Sequence, residues 1–312
     1  MSSMPHTTSH PSNYVGRFAP SPTGPLHFGS LLAALASFLD ARANSGQWLV
    51  RMEDIDPPRE TPGAATAILN CLRAHALEWD GDVLYQSQRT PIYRDVCTQL
   101  IAQQRAFYCT CSRVDLAGSD GIYTGRCRSC FEKPQQPFAI RLRVDDIDIR
   151  LEDNIQPPFT ENIARDVGDF VIYRKEDLPA YQLAVVIDDA AQQVTHVVRG
   201  SDLLASTARQ IFLQRCLQLP TPRYAHIPII ANPQRQKLSK QTFARELDNA
   251  DAADNLLAAL EFLQQPLPPA SESQSTTSIL QWAIRHWDIA LIPRQHDICG
   301  AALPPRCRRF AI

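Results

Sequence analysis

Apolar residues recur along this chain with two different periods, and the alternation between them predicts its elements. Residues 14–19, Tyr14-Val15-Gly16-Arg17-Phe18-Ala19, read as a strand that Pro20-Ser21-Pro22-Thr23-Gly24-Pro25 cannot continue. Leu31, Leu35, Phe38 and Arg42 then follow at helical spacing. A second strand, Trp48-Leu49-Val50-Arg51-Met52, runs into Glu53-Asp54-Ile55-Asp56-Pro57-Pro58-Arg59, after which residues 64–77 have helical character. Strand, helix, strand, helix predicts an α/β fold with a parallel sheet, whose ligands collect at the carboxyl ends of the strands. Ser21 and Glu53 both fall at such ends.

Further on, residues 138–151 alternate apolar and charged positions like one half-exposed strand. Residues 169–174 and 181–189 are read with the strands that bring the chain back to the sheet. Thr195-His196-Val197-Val198-Arg199-Gly200 is another, ending in Arg199, and a helix follows through Ala208, Phe212 and Cys216. Residues 248–263 predict a helix, 266–278 a Pro/Ser/Thr linker, and the end of the chain a last helix carrying Trp282 and Trp287. No internal repeat is visible.

Composition bounds the function without naming it. At 312 residues, with 44% hydrophobic and 21% charged positions, the chain has the make-up of a globular protein of about two domains. A net charge of −2 and a pI near 6.4 provide no global field for a polyanion. A nucleic-acid surface must then be local, and Arg306-Cys307-Arg308-Arg309 reads first as a solvated basic tail. No run reaches the apolar length of a membrane helix, and residues 1–13 lack the features of a signal peptide. A cytoplasmic protein with a disordered N-terminal tail is expected.

Nine cysteines, with no export signal, argue against a disulfide framework. Five are scattered. Cys109-Thr110-Cys111 and Cys127-Arg128-Ser129-Cys130 instead form two close pairs separated by 15 residues. The segment between them is poor in apolar residues, so it needs a staple. Zinc held by all four thiolates satisfies that need, the alternative being a group of free thiols.

His27-Phe28-Gly29-Ser30 follows the first strand at a predicted helix N-terminus. There free backbone N–H groups and the helix dipole favour a triphosphate, and Gly29 has no Cβ to keep it away. His27 can donate to a phosphate or simply cap the helix. Lys237-Leu238-Ser239-Lys240 can meet the charge that builds as pyrophosphate leaves. Glu53 can bind an amino group or be an ordinary surface acid. Arg199 is either a carboxylate fork or half of a structural ion pair.

Arg17-Phe18-Ala19-Pro20-Ser21-Pro22-Thr23-Gly24, His27-Phe28-Gly29-Ser30, Arg51-Met52-Glu53-Asp54 and Lys237-Leu238-Ser239-Lys240-Gln241 together resemble the signatures of the glutamyl-type class I aminoacyl-tRNA synthetases, over residues 14–245. Ser30, Leu238 and Gln241 depart from the ideal signatures. The resemblance implies a Rossmann-like catalytic domain in two halves, 14–105 and 151–245, around an insertion at 106–150, with a helical region at 246–312. It also implies a glutamate pocket of Arg17, Phe18, Ala19, Pro20, Ser21, Glu53, Tyr181 and Arg199, with Arg199 on a carboxylate and Glu53 on the ammonium. His27, Gly29, Lys237 and Lys240 would serve ATP and its Mg²⁺.

Only 72 residues follow Lys240, which leaves no room for the anticodon-binding domain of the full-length enzymes. Gly121-Ile122-Tyr123-Thr124-Gly125-Arg126-Cys127 resembles a shortened branch of the family that activates L-glutamate without tRNA. That branch esterifies it to the queuosine base in the anticodon of tRNA(Asp). The branch also implies zinc on Cys109, Cys111, Tyr123 and Cys127, with Cys130 as the competing ligand; a monomer is expected. The alternatives are a shortened enzyme charging a tRNA 3′ end, a small-molecule nucleotidyltransferase, and an inactive paralogue that only binds.

Overall fold

The computed structural model describes residues 14–112, 114–116, 122–123, 125–232, 246–299 and 302–310. The tail expected at 1–13, Lys237 and Lys240 lie outside them. In chain order the elements are β1 (Val15–Phe18), α1 (Phe28–Ala43), β2 (Gln47–Met52), α2 (Ala64–Ala74), β3 (Leu84–Tyr85), α3 (Thr90–Ala102), β4 (Ala106–Cys109), β5 (Ala139–Leu142), β6 (Asp148–Leu151) and β7 (Phe159–Asn162). They continue with β8 (Val171–Tyr173), α4 (Tyr181–Ala191), β9 (His196–Gly200), α5 (Leu204–Cys216), β10 (Arg223–Ile227), β11 (Ile229–Ala231), α6 (Ala252–Phe262), α7 (Thr276–Arg285) and β12 (Asp297–Cys299).

The central layer is parallel, as the alternation predicts. β1 pairs with β2 and β2 with β3, while β9 pairs with β10. Thr195, just before β9, donates its backbone N–H to Val15 O at 2.9 Å, which sets the β9–β10 ladder beside β1. α1 covers this layer and is apolar on almost every side: Leu31, Leu32, Ala34, Leu35, Ala36, Leu39 and Ala41 are all buried. Gly46 lets β2 start against β1, since a Cβ there would lie 2.5 Å from Tyr14 O. Antiparallel β4–β5–β8 and β6–β7 form a second layer, and α6 and α7 share the core of α1. Among the described residues no helix is long and apolar enough to cross a membrane.

Four expectations change. The alternating stretch 138–151 is two strands, β5 and β6, because Arg143 to Ile147 turn the chain: Ile147 N bonds Asp145 O at 2.9 Å. Residues 181–189 are not extended. Leu183 to Ile187 are buried on every side of helix α4, so their apolar run carries no strand period. Trp287 lies beyond α7, where its indole N–H donates to Asp40 at 2.9 Å.

The basic terminus exposes its three arginines, as expected, but it is docked and not a free tail. Pro305–Phe310 forms a 3₁₀ segment with Cys307 buried, Phe310 stacked on Phe28 at 3.9 Å, and Arg309 bonded to Asn255 at 2.9 Å. Phe310→Ala removes an aromatic packed on the first turn of α1. It is expected to cost about 3 kcal/mol in urea denaturation; a change below about 0.5 kcal/mol, the usual size at an exposed surface position, contradicts the docking.

Candidate active site

Parallel strands bring their carboxyl ends to one edge of the sheet, and the loop from β1 to α1 rises there. A cleft of about 780 Å³ opens at this edge. Arg17, Phe18, Ala19, Pro20 and Ser21 form one wall. His27 and Gly29 stand at the start of α1, Glu53 follows β2, Tyr181 begins α4, and Arg199 ends β9. All ten of these residues, singled out in the sequence, line the one cavity.

The floor is a set of buried charges. Asp189 Oδ1 accepts from Arg51 Nη1 at 2.7 Å and Arg17 Nε at 3.2 Å, and Arg51 Nη2 reaches Glu53 Oε1 at 3.4 Å. Arg51 and Asp189 are site residues that the sequence reasoning above does not reach. The signal was present: an arginine inside an apolar strand, and two aspartates closing an apolar run, need partners once buried. Burial works against the charge of Asp189, but Arg17 and Arg51 outweigh it and hold the carboxyl below its usual range. For Glu53 burial wins over Arg51 and Arg17, so its carboxyl is raised. Glu53 is the acid in this set that lacks a full counter-charge.

Arg199 is 4% exposed. Its Nε donates to His226 Nε2 at 3.0 Å and its Nη2 to Thr207 Oγ1 at 2.8 Å. Its Nη1 is buried and has no hydrogen-bond partner among the described residues. A buried guanidinium donor without an acceptor is costly, and a carboxylate in the cleft is the acceptor that fits it. Tyr181 lies between the two charge sets, and desolvation raises its phenol, keeping it a neutral donor.

His27 caps α1: its Nδ1 accepts the Ser30 N–H at 3.3 Å. The neutral ring therefore carries its proton on Nε2, 3.2 Å from Ser30 Oγ. Capping and donation are thus compatible, through different nitrogens. The segment with Lys237 and Lys240 leaves after Ile229 and Ile230, which line the cleft, and the described chain resumes at Glu246, bridged to His27.

A second cluster lies beyond β4. The sulfurs of Cys109, Cys111 and Cys127 all fall within 4.8 Å of one another. Tyr123 Oη is 3.6 Å from Cys109 Sγ and 3.7 Å from Cys111 Sγ, and Cys111 and Cys127 sulfurs are 3.6 Å apart. Burial opposes a Cys127 thiolate, but the Tyr123 hydroxyl, the Thr110 backbone and the other two thiols bring it down to about 7. Cys130 is exposed and outside this group.

The model for class I tRNA synthetases (E and Q), catalytic domain, matches residues 14–265. The Glutamyl-Q tRNA(Asp) synthetase of Neisseria meningitidis serogroup C / serotype 2a (strain FAM18) is 51% identical over 291 residues, covering 90% of this chain and 98% of the relative. The chain belongs to the glutamyl-Q tRNA(Asp) synthetase family of class I tRNA synthetases. Another family member, from Pseudomonas fluorescens, is 50% identical across 95% of this chain and 99% of its own. The glutamate tRNA ligase of Elizabethkingia meningosepticum shares the fold, with a TM-score of 0.77 at 24% identity over 96% of this chain and 68% of that one.

The raised Glu53 carboxyl sets a pH dependence. Its charged form is less stable in the folded chain than in the unfolded one, so stability falls as pH rises above the ordinary value of 4.5 and levels off above the folded value. Glu53→Gln is therefore expected to gain on the wild type in thermal melts between pH 4.5 and neutrality. A variant that loses ground over that range would show that the arginines stabilise the carboxylate outright.

Proposed function

We propose that the protein activates L-glutamate with ATP to glutamyl-adenylate in the absence of tRNA, then transfers the glutamyl group to the queuosine base in the anticodon of tRNA(Asp). The observation that carries this reading is the buried, unsatisfied Nη1 of Arg199, a residue lining the same cleft as Glu53, which is short of positive charge. That pattern suits a zwitterion with an additional carboxylate. Arg199 takes a substrate carboxylate, Glu53 takes the ammonium, and Arg17, Phe18, Ala19, Pro20, Ser21 and Tyr181 shape the pocket. The family relatives, similar along nearly their whole length, support the acceptor.

In the first step the α-carboxylate oxygen attacks the α-phosphorus and pyrophosphate leaves. This is positioning and charge stabilisation more than covalent chemistry by the protein. His27 donates through Nε2, Gly29 and the α1 terminus face the phosphates, Lys237 and Lys240 meet the charge on the leaving group, and Mg²⁺ accompanies ATP. In the second step a hydroxyl of the queuosine cyclopentene ring attacks the acyl carbon and AMP departs. The protein acts as a cytoplasmic monomer in this reading.

Residues 106–150 form an insertion in which Cys109, Cys111, Tyr123 and Cys127 hold a structural Zn²⁺. The spacings of 3.6–3.7 Å among these donors support it, because ligands about 2.3 Å from a tetrahedral metal lie about 3.8 Å apart. The ion would supply the cross-link for a core made, among the described residues, of Phe107, Tyr123 and the cysteines with Phe131 against them.

Glutamate-dependent exchange of pyrophosphate into ATP is expected without tRNA. Arg199→Ala should lower kcat/KM for glutamate about a hundredfold, as loss of a buried charged hydrogen bond predicts. Exchange driven by another amino acid, or glutamate transfer to an unmodified tRNA transcript, would defeat the reading. For the metal, atomic emission should find about one zinc per chain. Cys130→Ser is expected to keep it against a chelator and Tyr123→Phe to lose it faster, whereas the opposite order would make Cys130 the fourth ligand.

A further inference from the structure

Behind Arg199 lies a fully buried pair that none of the site chemistry above uses. His226, in β10, donates from Nδ1 to Asp153 Oδ2 at 2.5 Å, both side chains being wholly inaccessible. The other oxygen of Asp153, Oδ1, accepts three backbone N–H groups, from Ile155 at 2.9 Å, Gln156 at 2.8 Å and His226 at 3.1 Å. On the far side of the ring, His226 Nε2 meets Arg199 Nε at 3.0 Å and Thr207 Oγ1 at 3.2 Å.

We propose that Asp153 and His226 are positioning residues for the amino-acid carboxylate: Asp153 fixes the imidazole tautomer so that Nε2 presents a lone pair to Arg199 Nε, which turns Nη1 into the cleft. The inference rests on the reading of Arg199 as carboxylate anchor.

The polarity of the chain follows from the hydrogen count. Arg199 can only donate, so Nε2 must accept, and the ring proton must sit on Nδ1 facing a carboxylate. Protonating the ring would set an N–H against the guanidinium. Desolvation and Arg199 oppose that charge, and they bring His226 down to about 4 despite Asp153. Burial opposes the Asp153 charge too, but His226 and the backbone donors hold its carboxyl below the usual range. Thr207 Oγ1, which also contacts Leu203 O, fixes the second arm of the fork through Nη2. With Nε and Nη2 both occupied, the plane of the guanidinium is set and Nη1 has one direction left.

The isosteric variant Asp153→Asn tests this sharply. Three backbone donors hold the side-chain oxygen at the Oδ1 place, so the new amide NH₂ must take the Oδ2 place and donate to His226 Nδ1. The ring proton then moves to Nε2, and Arg199 loses its acceptor. In pyrophosphate exchange, Asp153→Asn and His226→Leu are expected to raise the glutamate KM about tenfold and to leave the ATP KM within about twofold. His226→Gln, whose amide oxygen can still accept from Arg199, should stay near the wild type.

Nitrogen-15 spectra of histidine-labelled protein, with the His226 signal assigned by its loss in His226→Gln, should show the proton on Nδ1 in the wild type and on Nε2 in Asp153→Asn. An unchanged tautomer in Asp153→Asn overturns the inference. So does an unchanged glutamate KM in Asp153→Asn and His226→Leu while Arg199→Ala raises it, an outcome that leaves the proposed function standing. A glutamate KM unmoved even by Arg199→Ala removes the anchor itself, and with it both readings of this residue.

Discussion

One carboxylate, Asp189, holds the working edge of this protein together. It lies at the end of α4 and bonds Arg17 from β1 and Arg51 from β2 at 3.2 and 2.7 Å. Three separate elements therefore meet at one buried atom, Oδ1. Ion pairs of this kind give little net stability, because desolvating both partners costs about what their attraction returns. Their effect is geometric: removing Asp189 would take from Arg17 its carboxylate partner and leave Arg51 with only Glu53 and Gln192, so alternative placements of β1, β2 and α4 are disfavoured. The strand ends are thereby fixed where Glu53 and Ser21 can face Arg199 and Tyr181 across the cleft.

The same edge explains why the site could be read in part from sequence. Motifs at strand ends announce themselves, because a strand that stops at Pro20 and a helix that starts at Phe28 leave only one place for the residues between. Parallel pairing then carries Glu53 and Arg199 to the same edge without any long-range information. Glu53 and Arg199 are thus legible as chemistry, whereas Arg17 enters only through the family resemblance. What joins them is not legible: the sequence pattern places Asp189 in a strand, and only its position on the last turn of α4 turns it toward Arg17 and Arg51.

The errors share a physical origin. The run at 183–187 is uniformly apolar because α4 is enclosed on all sides, so neither a period of two nor one of 3.6 is imprinted on it. The alternation at 138–151 is real on both sides of a turn, and alternation alone does not report that the chain passes from one sheet to another. Arg306, Arg308 and Arg309 look like a free tail until Cys307 and Phe310, interleaved with them, find the surfaces of α6 and α1. Local composition records what a residue prefers, whereas docking depends on what another segment leaves uncovered.

Charge counting gives the cleft its character. Asp189 binds both Arg17 and Arg51 while Glu53 is only partly matched by Arg51, and neither acid neutralises Arg199, whose positive charge is the surplus an incoming carboxylate meets. Had Asp153 touched Arg199 directly, it would have cancelled that surplus and left nothing for an incoming carboxylate. A neutral imidazole placed between them passes on orientation without passing on charge. His226, buried and held uncharged by desolvation and by Arg199, is suited to that task where a lysine, an aspartate or a second arginine is not. The fork is therefore rigid and still fully charged, the two properties that recognition of a carboxylate in a desolvated pocket requires.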